Sequence, residues 1–236
     1  MNMRPLHQTN TIKTFLLGLL FAALATNAPA QIAPATRESI EWCDIWISHA
    51  NETNLPRVLL IGDSITRGYY SEVEKRLAGK AFVARLTTSA FLTDPMLNQQ
   101  IALVLDNTKF DLIHFNNGMH GWQHSEEAYR KAFPGFLATI QKHAPGAKLI
   151  WAATTPLRES TNTPPRNPRA ASNERVAARN AIALEFTKAQ NIPLNDLNAL
   201  VQSHPEHHSD DVHFNREGIA IQAEKVASQI EKFLPR

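Results

Sequence analysis

A serine near the start of the chain stands where a nucleophile could be exposed and activated. Ser64 follows the apolar run Val58–Ile61 and the pair Gly62-Asp63. An apolar run that ends at a glycine is typical of a buried parallel strand turning into a helix. A serine at such a turn presents its hydroxyl beside helix N-terminal amides, which stabilise negative charge. Ser64 is therefore a candidate nucleophile, and the alternative interpretation of this stretch is a plain helix N-cap.

The proton acceptor that such a serine needs is a histidine near the other end of the chain. Asp210 stands three residues before His213, and on a tight turn or at a helix start residues with this spacing share one side. The Asp210 carboxylate, rather than that of Asp211, is expected to accept from one imidazole nitrogen and fix the tautomer. The other nitrogen is then free to take a proton from Ser64. An Asp-x-x-His alone is a weak signal, but together with the serine turn it predicts a Ser–His–Asp triad.

These two blocks resemble those of the SGNH (GDSL-type) hydrolase family of esterases and lipases. The matching residues are Gly62–Thr66 and Asp210–His213, and their order and spacing span most of residues 31–236. The resemblance implies that Ser64 is the nucleophile, that His213 is the general base and that Asp210 orients the base. It implies no metal and no organic cofactor. Thr66 stands where the ordinary α/β-hydrolase motif Gly-x-Ser-x-Gly has its second glycine, which counts against that fold.

The resemblance also implies an oxyanion hole, whose first donor is the Ser64 amide. The second sequence block of the family supplies a glycine amide, but this chain has no glycine between Gly79 and Gly118. Ser89 or Ala90 occupies the corresponding place. Either amide can donate equally well if its dihedral angles fit, so both remain candidates.

The third block departs most from the family pattern Gly-x-Asn-Asp, whose asparagine donates to the oxyanion. This chain has Gly118-Met119-His120-Gly121, with His120 in the place of the asparagine. Asn116 and Asn117 precede that glycine and are further candidates. We favour Asn116, because it ends a strand expected to neighbour that of Ser64 and because an amide donates at every working pH.

A long loop after the fourth predicted strand is a candidate wall of the substrate site. Residues 155–170 contain four prolines and no glycine, so the loop is expected to be stiff. It leaves the carboxyl end of a strand, where doubly wound sheets bind ligands. Arg158 is closest to the strand end and is the candidate substrate-binding residue, with ties to nearby carboxylates and carbonyls as the alternative role of the loop arginines.

The histidines near the predicted triad loop do not predict a metal site. His204, His207 and His208 stand close together, but Pro205 and Glu206 interrupt any regular face. Zinc requires three or four ligands in tetrahedral geometry. We therefore expect these residues to form a polar approach to the active site.

Apolar runs alternate with helical stretches five times, which predicts an α/β fold. The predicted strands are 58–61, 81–87, 148–154 and 192–197, with another at the start of the stretch 111–122, which then becomes a turn. Such alternation favours a three-layer sandwich in which helices cover both faces of a five-stranded parallel sheet. The resemblance adds the flavodoxin-like strand order 2-1-3-4-5. Residues 31–56 are expected to contribute a short helix that caps the sheet, and Pro134 is expected to kink or split the helix predicted for 125–143.

The first 30 residues have the pattern of a secretory signal peptide. Arg4 and Lys13 precede an apolar run, and Ala28-Pro29-Ala30 has the small-x-small form of a cleavage site. Cleavage after Ala30 would leave 31–236 as one hydrolase domain with no formal net charge. That balance excludes an electrostatic preference for nucleic acid, and no membrane association is expected after signal removal. Cys43 is the only cysteine, so no disulfide can form within the chain.

The residues together predict an exported, periplasmic or secreted serine esterase. A short acyl group, acetyl in particular, is favoured because no stretch resembles a long apolar lipid groove, and acetyl removal from a carbohydrate is the family-level expectation. The substrate would be a small-molecule or carbohydrate ester, and the sequence does not specify an oligomeric state. The alternative is an SGNH-fold binding protein with little or no hydrolysis, which the missing second-block glycine and the absent Gly-x-Asn-Asp motivate.

Overall fold

The computed structural model describes residues 36–158 and 171–235, together with Met1. The fold below lies within the unit Pro34–Arg236. Apart from Met1, the predicted signal peptide lies outside the described residues. So does most of the proline-rich loop, from residue 159 to residue 170. Both interpretations stay predictions.

A mostly parallel sheet forms the middle layer of the fold. Its strands are β1 (Cys43–Ile47), β2 (Arg57–Gly62), β3 (Phe82–Thr88), β4 (Leu112–Phe115), β5 (Lys148–Ala152) and β6 (Leu194–Asn195). They are ordered β1-β3-β2-β4-β5-β6, and all neighbours except β1 and β3 pair in parallel. The five parallel strands therefore have the predicted flavodoxin-like order. Among the described residues the sheet has six strands, so the predicted number of five is one too low.

The extra strand is β1, and it corrects the short helix predicted in this region. β1 pairs with β3 in antiparallel register, from Cys43 opposite Thr88 to Ile47 opposite Ala84. Cys43, Ile45 and Ile47 alternate with period two, which fits a strand as well as the residues fit a helix. The unpaired edge of β3 decides between them, because it offers a row of backbone donors and acceptors that a strand satisfies and a helix does not.

Six α-helices and one short 3-10 turn accompany the sheet in the described ranges. The helices are α1 (Ser64–Arg76), α2 (Pro95–Asn107), α3 (Glu126–His143), α4 (Asn173–Ala189), α5 (Leu197–Gln202) and α6 (Arg216–Glu231), and the turn is Pro205–His207. No helix in these ranges combines the length and the apolar character needed to cross a membrane.

Pro134 lies inside α3, which is one continuous helix, so the expectation that this proline splits the helix is wrong. A proline in a helix interior costs about 3 kcal/mol. Pro134 is exposed, while Phe133, Phe136, Leu137 and Ile140 on the other face are buried in the core. Burial of these four side chains offsets the loss of one backbone hydrogen bond, since each contributes about 1.5–3 kcal/mol.

Helices on the two faces of the sheet enclose two apolar cores. Leu59 and Ile61 of β2 point into a core shared with α2, α3 and α4. Val58 and Leu60, which alternate with them, point into a second core shared with α1 and α6. Every residue of β2 is buried, as expected for the central strand of a sheet covered on both faces. The carboxyl end of this rigid strand is therefore well suited to hold a reactive side chain.

Candidate active site

The turn from β2 into α1 fixes the position of Ser64. Asp63 is the N-cap of α1, and its buried carboxylate accepts a hydrogen bond from the Ile65 amide at 2.8 Å. Ser64 is the first residue of the helix rather than its cap, so the N-cap interpretation of Ser64 is wrong. Its amide belongs to the first helical turn, where backbone donors have no acceptor within the helix. A side chain on Gly62 would not fit, because its Cβ would lie 2.1 Å from Thr66 Oγ1.

The structure brings Ser64, His213 and Asp210 into one hydrogen-bonded chain. His213 Nε2 lies 2.8 Å from Ser64 Oγ, and His213 Nδ1 lies 2.9 Å from Asp210 Oδ2. If Nδ1 carries the proton that Asp210 accepts, Nε2 presents its lone pair to the serine hydroxyl. This arrangement can remove the proton of Ser64 as its oxygen attacks.

Asp210 shapes its loop with one oxygen and holds the imidazole with the other. Oδ1 accepts from the amides of Val212 at 2.8 Å and His213 at 2.7 Å. These two backbone bonds are the main reason that the pKa of Asp210 falls to about 2, and the side chain of His213 adds to them. The carboxylate is therefore ionised near neutral pH. Asp211 contributes its backbone oxygen to the Arg158 amide at 2.9 Å instead.

Contacts on both sides of the His213 loop hold it in place. The Ser209 amide donates to the His213 carbonyl at 2.8 Å, and the Asn215 amide donates to the His207 carbonyl at 2.8 Å. His208 is buried and its Nε2 lies 3.1 Å from the Pro156 carbonyl oxygen. The three-histidine segment therefore anchors the loop, at least through His208 and the backbone of His207.

The second-block candidates differ in whether their amides are free. The Ser89 amide donates to the Trp42 carbonyl at 3.1 Å as part of the contact between β3 and the segment before β1, which leaves it unavailable to a substrate. The Ala90 amide donates to Thr88 Oγ1 at 3.0 Å. A hydroxyl two residues away is an acceptor that can rotate aside, so Ala90 is the better candidate donor.

Asn116, which we favoured as the third oxyanion donor, is committed elsewhere in the structure. Its side-chain nitrogen donates to the Ala152 carbonyl at 2.7 Å and to Thr154 Oγ1 at 3.0 Å. A side-chain amide has two N–H groups, and both are used. Asn117 also points away, since its nitrogen donates to the Ala90 carbonyl at 2.9 Å. The preference for Asn116 is therefore corrected, because the amide secures the end of β5 instead.

His120 remains as the third-block candidate, and it is held by a residue that sequence reasoning missed. Its Nδ1 lies 3.0 Å from Glu38 Oε2, and Glu38 Oε1 accepts from the Gly121 amide at 2.9 Å. His120 Nε2 is buried and has no hydrogen-bond partner among the described residues. The edge of Trp42 packs against the imidazole, with ring centroids 6.2 Å apart.

Electrostatics at His120 favour its charged form. Burial lowers the pKa of His120, but the hydrogen bond with Glu38 and the charges of Asp63, Glu38 and Glu41 outweigh it, so the net shift is upward. The same hydrogen bond is the main cause of the lowered pKa of Glu38. Both shifts favour the charged form of the group, as expected for a carboxylate–imidazolium pair.

A buried arginine fixes the loop that carries His120. Arg179 of α4 has no solvent exposure, and it donates to the carbonyls of Gly118 at 2.9 Å, His120 at 2.7 Å and Gly121 at 3.1 Å. Its guanidinium also lies 4.1 Å from the centroid of the Trp122 ring. Burial, and then the charge of Arg175, lowers the pKa of Arg179 to about 10, so it stays cationic near neutral pH. Arg179 therefore holds the loop through its backbone carbonyls.

Two other predicted features contribute no side chain to the triad. Arg158 is exposed and lines a cavity of about 580 Å³, whose lining includes none of the three triad residues. Its role in binding substrate stays a prediction. His204, Glu206 and His207 offer ligand atoms within 4.8 Å of one another, and the expectation that they bind no metal also stays a prediction.

Comparison with known proteins identifies the fold and the family. The sequence matches the model of the GDSL-like lipase/acylhydrolase family over residues 60–221. The lipase/acylhydrolase from Enterococcus faecalis superposes with a TM-score of 0.59 at 18% identity, covering 76% of this chain and 97% of that one. A carbohydrate esterase family 3 protein from Talaromyces cellulolyticus gives 0.58 at 16% identity, with coverages of 75% and 97%. An acetyl xylan esterase gives 0.57 at 18% identity, with coverages of 74% and 99%.

A search of the curated proteins finds no significant match. At the identities above, the solved structures establish a shared fold. The family match is stronger evidence, because it begins in β2 and ends in α6, and so spans Ser64, His120, Asp210 and His213. Because that match covers more than half of the chain, the protein belongs to the GDSL-like lipase/acylhydrolase family of carboxylic ester hydrolases, as the two sequence blocks predicted.

Proposed function

We propose that the protein is an exported serine esterase that hydrolyses short-chain esters, acetyl esters in particular, on a carbohydrate. The observation that carries the proposal is the unbroken chain from Asp210 through His213 to Ser64, with contacts of 2.9 and 2.8 Å. Surface Asp–His pairs are common, but a second contact from the same imidazole to a serine at a helix N-terminus is a specific arrangement.

In the proposed reaction, His213 accepts the proton of Ser64 while the serine oxygen attacks the ester carbonyl. The tetrahedral intermediate then collapses, and His213 gives the proton to the departing alcohol. Water attacks the resulting acyl-enzyme with His213 again as the base, which releases the acid and restores Ser64. Asp210 stays ionised and holds the imidazole in the required tautomer throughout.

The negative charge of the intermediate falls on the former carbonyl oxygen, beside the start of α1. The Ser64 amide is a first-turn helix donor there, and the Ala90 amide can join it by releasing Thr88 Oγ1. Each such donor is worth roughly 10²- to 10³-fold in turnover. A polar third-block side chain completes the set.

The proposed substrate class rests on the printed names of two structural neighbours. One is an acetyl xylan esterase and the other belongs to carbohydrate esterase family 3. More than nine-tenths of the length of each superposes on this chain, so the compared regions include nearly all of both neighbours. The absence of formal net charge on residues 31–236 also suits a neutral substrate better than a polyanion.

The deciding experiment compares the purified protein with Ser64→Ala on p-nitrophenyl acetate, butyrate and octanoate. We expect acetate to be the best substrate, and we expect Ser64→Ala to lower kcat by at least about 10³-fold. Ser228→Ala, an exposed serine on α6, is the matched control and is expected to behave as wild type. Equal rates for wild type and Ser64→Ala would overturn the esterase proposal and leave the binding-protein alternative.

A further inference from the structure

The contact between His120 and Glu38 fixes which imidazole nitrogen carries a proton. An ionised carboxylate can only accept hydrogen bonds, so the hydrogen between Glu38 Oε2 and His120 Nδ1 must belong to the ring. A neutral imidazole has only one N–H. Nε2 therefore carries a lone pair when His120 is neutral, and it becomes a donor only when the ring is an imidazolium.

His120 Nε2 is the end of the ring that faces away from Glu38, and it lies in a polar but unpartnered position. It is buried without a hydrogen-bond partner among the described residues. A buried polar atom with no partner destabilises the folded protein. Such an atom in a native protein calls for an explanation, and one explanation is a ligand or reacting group that pairs with it.

The surroundings of His120 place it beside the start of α1. Asp63, which directly precedes Ser64, acts electrostatically on the ring. Trp42 bridges the two elements, since its ring packs against His120 on one side and Arg67 of α1 lies 5.8 Å from its centroid. The ring thus lies near the carboxyl end of β2, where the proposed oxyanion would form.

We propose that His120 stabilises the oxyanion as an imidazolium, donating from Nε2, and that Glu38 is the positioning residue that keeps it charged and aimed. This inference rests on the proposed esterase function and adds a second acid–histidine pair to it. The roles of the two pairs are opposite. His213 must be neutral to act as a base, whereas His120 must be protonated to act as a donor.

The charges around His120 come from four segments and are mostly negative. Glu38 and Glu41 lie before β1, and Asp63 lies at the end of β2. Arg179 of α4 supplies the opposing positive charge, but its guanidinium is aimed at the loop carbonyls, including that of His120 itself. Arg67 of α1 is separated from the ring by Trp42. The site therefore favours a cation at the imidazole, and an arriving negative charge on the substrate would favour it further.

The pair imposes a specific pH dependence on activity. His120 loses its role as pH rises and it is deprotonated, so kcat is expected to fall on the alkaline side of its pH profile. Because the net pKa shift of His120 is upward, the charged form persists to higher pH than for an ordinary histidine, and activity is lost as pH rises through that raised pKa.

Two substitutions separate charge from position. Glu38→Gln keeps an oxygen that accepts from Nδ1–H but removes the negative charge. His120→Gln places a neutral amide N–H near the position of Nε2. We expect Glu38→Gln to move the alkaline limb of the kcat profile to lower pH, with a loss of about tenfold or more in kcat on that limb and little change in KM. His120→Gln should lose the alkaline limb, and adding Glu38→Gln to it should change little further.

Glu52→Gln is the matched control, because Glu52 also pairs with a histidine, at 2.7 Å from His49 Nδ1, but on the exposed surface. It is expected to leave the profile unchanged. An unchanged alkaline limb in folded Glu38→Gln and His120→Gln would overturn the proposal. So would an equal further loss when Glu38→Gln is added to His120→Gln, because Glu38 would then act without His120.

An NMR titration of the His120 ring in Ser64→Ala gives a readout that does not depend on turnover. We expect the imidazolium to persist to higher pH with Glu38 than with Glu38→Gln. A His120 ring that loses its proton at the same pH with Glu38 as with Glu38→Gln would overturn the proposal even if the protein is an active esterase. A wild-type protein inactive on every ester would instead overturn the proposed function, and with it the catalytic role of His120, while the titration would still decide its charge.

Discussion

At the scale of single residues, the two oxygens of Asp210 have separable tasks. Oδ1 binds the loop amides and Oδ2 binds the imidazole. We expect Asp210→Asn to keep the loop, because an amide oxygen can still accept from both backbone donors. The amide nitrogen would then face His213 Nδ1 and favour the wrong tautomer, which in a triad lowers kcat by roughly 10²- to 10⁴-fold. Steady-state kinetics with p-nitrophenyl acetate measures the loss.

Asp211→Asn is the control for that substitution, since Asp211 contributes only its backbone oxygen among the contacts described here. It should retain nearly wild-type kcat. A large loss in Asp211→Asn together with an active Asp210→Asn would show that the wrong carboxylate has been assigned to the imidazole.

The residue scale also shows which parts of the site a sequence can reveal. Asp210 and His213 are three residues apart, and Ser64 is marked by a strand, a glycine and a helix start, so their signals are local. Glu38 carries no such signal, because its partner His120 is 82 residues away. Asn116 does lie at the end of a strand, as predicted. The prediction of its role was wrong because Ala152 and Thr154, which are distant in sequence, determine the direction of its amide.

At the scale of elements, the tight entry from β2 into α1 is what holds Ser64 in place. A Cβ on Gly62 would lie 2.1 Å from Thr66 Oγ1, closer than van der Waals contact allows. We expect Gly62→Ala to shift the first turn of α1, to destabilise the protein by about 1–3 kcal/mol, and to lower kcat because Ser64 moves away from His213. Urea unfolding measures the first effect and ester hydrolysis the second.

Gly68 provides the comparison within the same helix. It is exposed, and a Cβ there would meet nothing within 4 Å. Gly68→Ala should therefore stabilise the protein by up to about 1 kcal/mol through helix propensity, with unchanged kcat. If both substitutions had the same effect on stability, close packing at Gly62 would not be what positions the serine.

Elements with a long, regular pattern were predictable, and those decided by tertiary context were not. β2 and β4 contain the clearest apolar runs among the parallel strands, and the sequence identifies them because every residue of both is buried. β1 is short and half exposed, and its strand form depends on the free edge of β3. Arg179 gave a signal that went unused, since it stands between Val176 and Ala183 on the buried side of α4, where an arginine is rarely placed unless it is paired.

At the scale of the whole molecule, the proposed export and the proposed site constrain each other. Cleavage after Ala30 would leave Gln31 as the first residue, seven positions before Glu38. Processing at this point keeps the carboxylate that holds His120. We expect protein purified from its native secretory route to have the intact mass of residues 31–236. A mass that includes residues 1–30 would contradict the signal-peptide interpretation. A mass that corresponds to a chain beginning after residue 38 would contradict the role of Glu38.

The antiparallel pairing of β1 with β3 has a consequence for the timing of activity. It brings Glu38, from the segment just before β1, to the same region as Ser64 and His120. His213 arrives only after β6. A ribosome therefore completes the proposed nucleophile and both members of the Glu38–His120 pair well before it adds the proposed base. With these roles, a nascent chain that has already paired its first strands is expected to be inactive until almost the whole polypeptide has been synthesised.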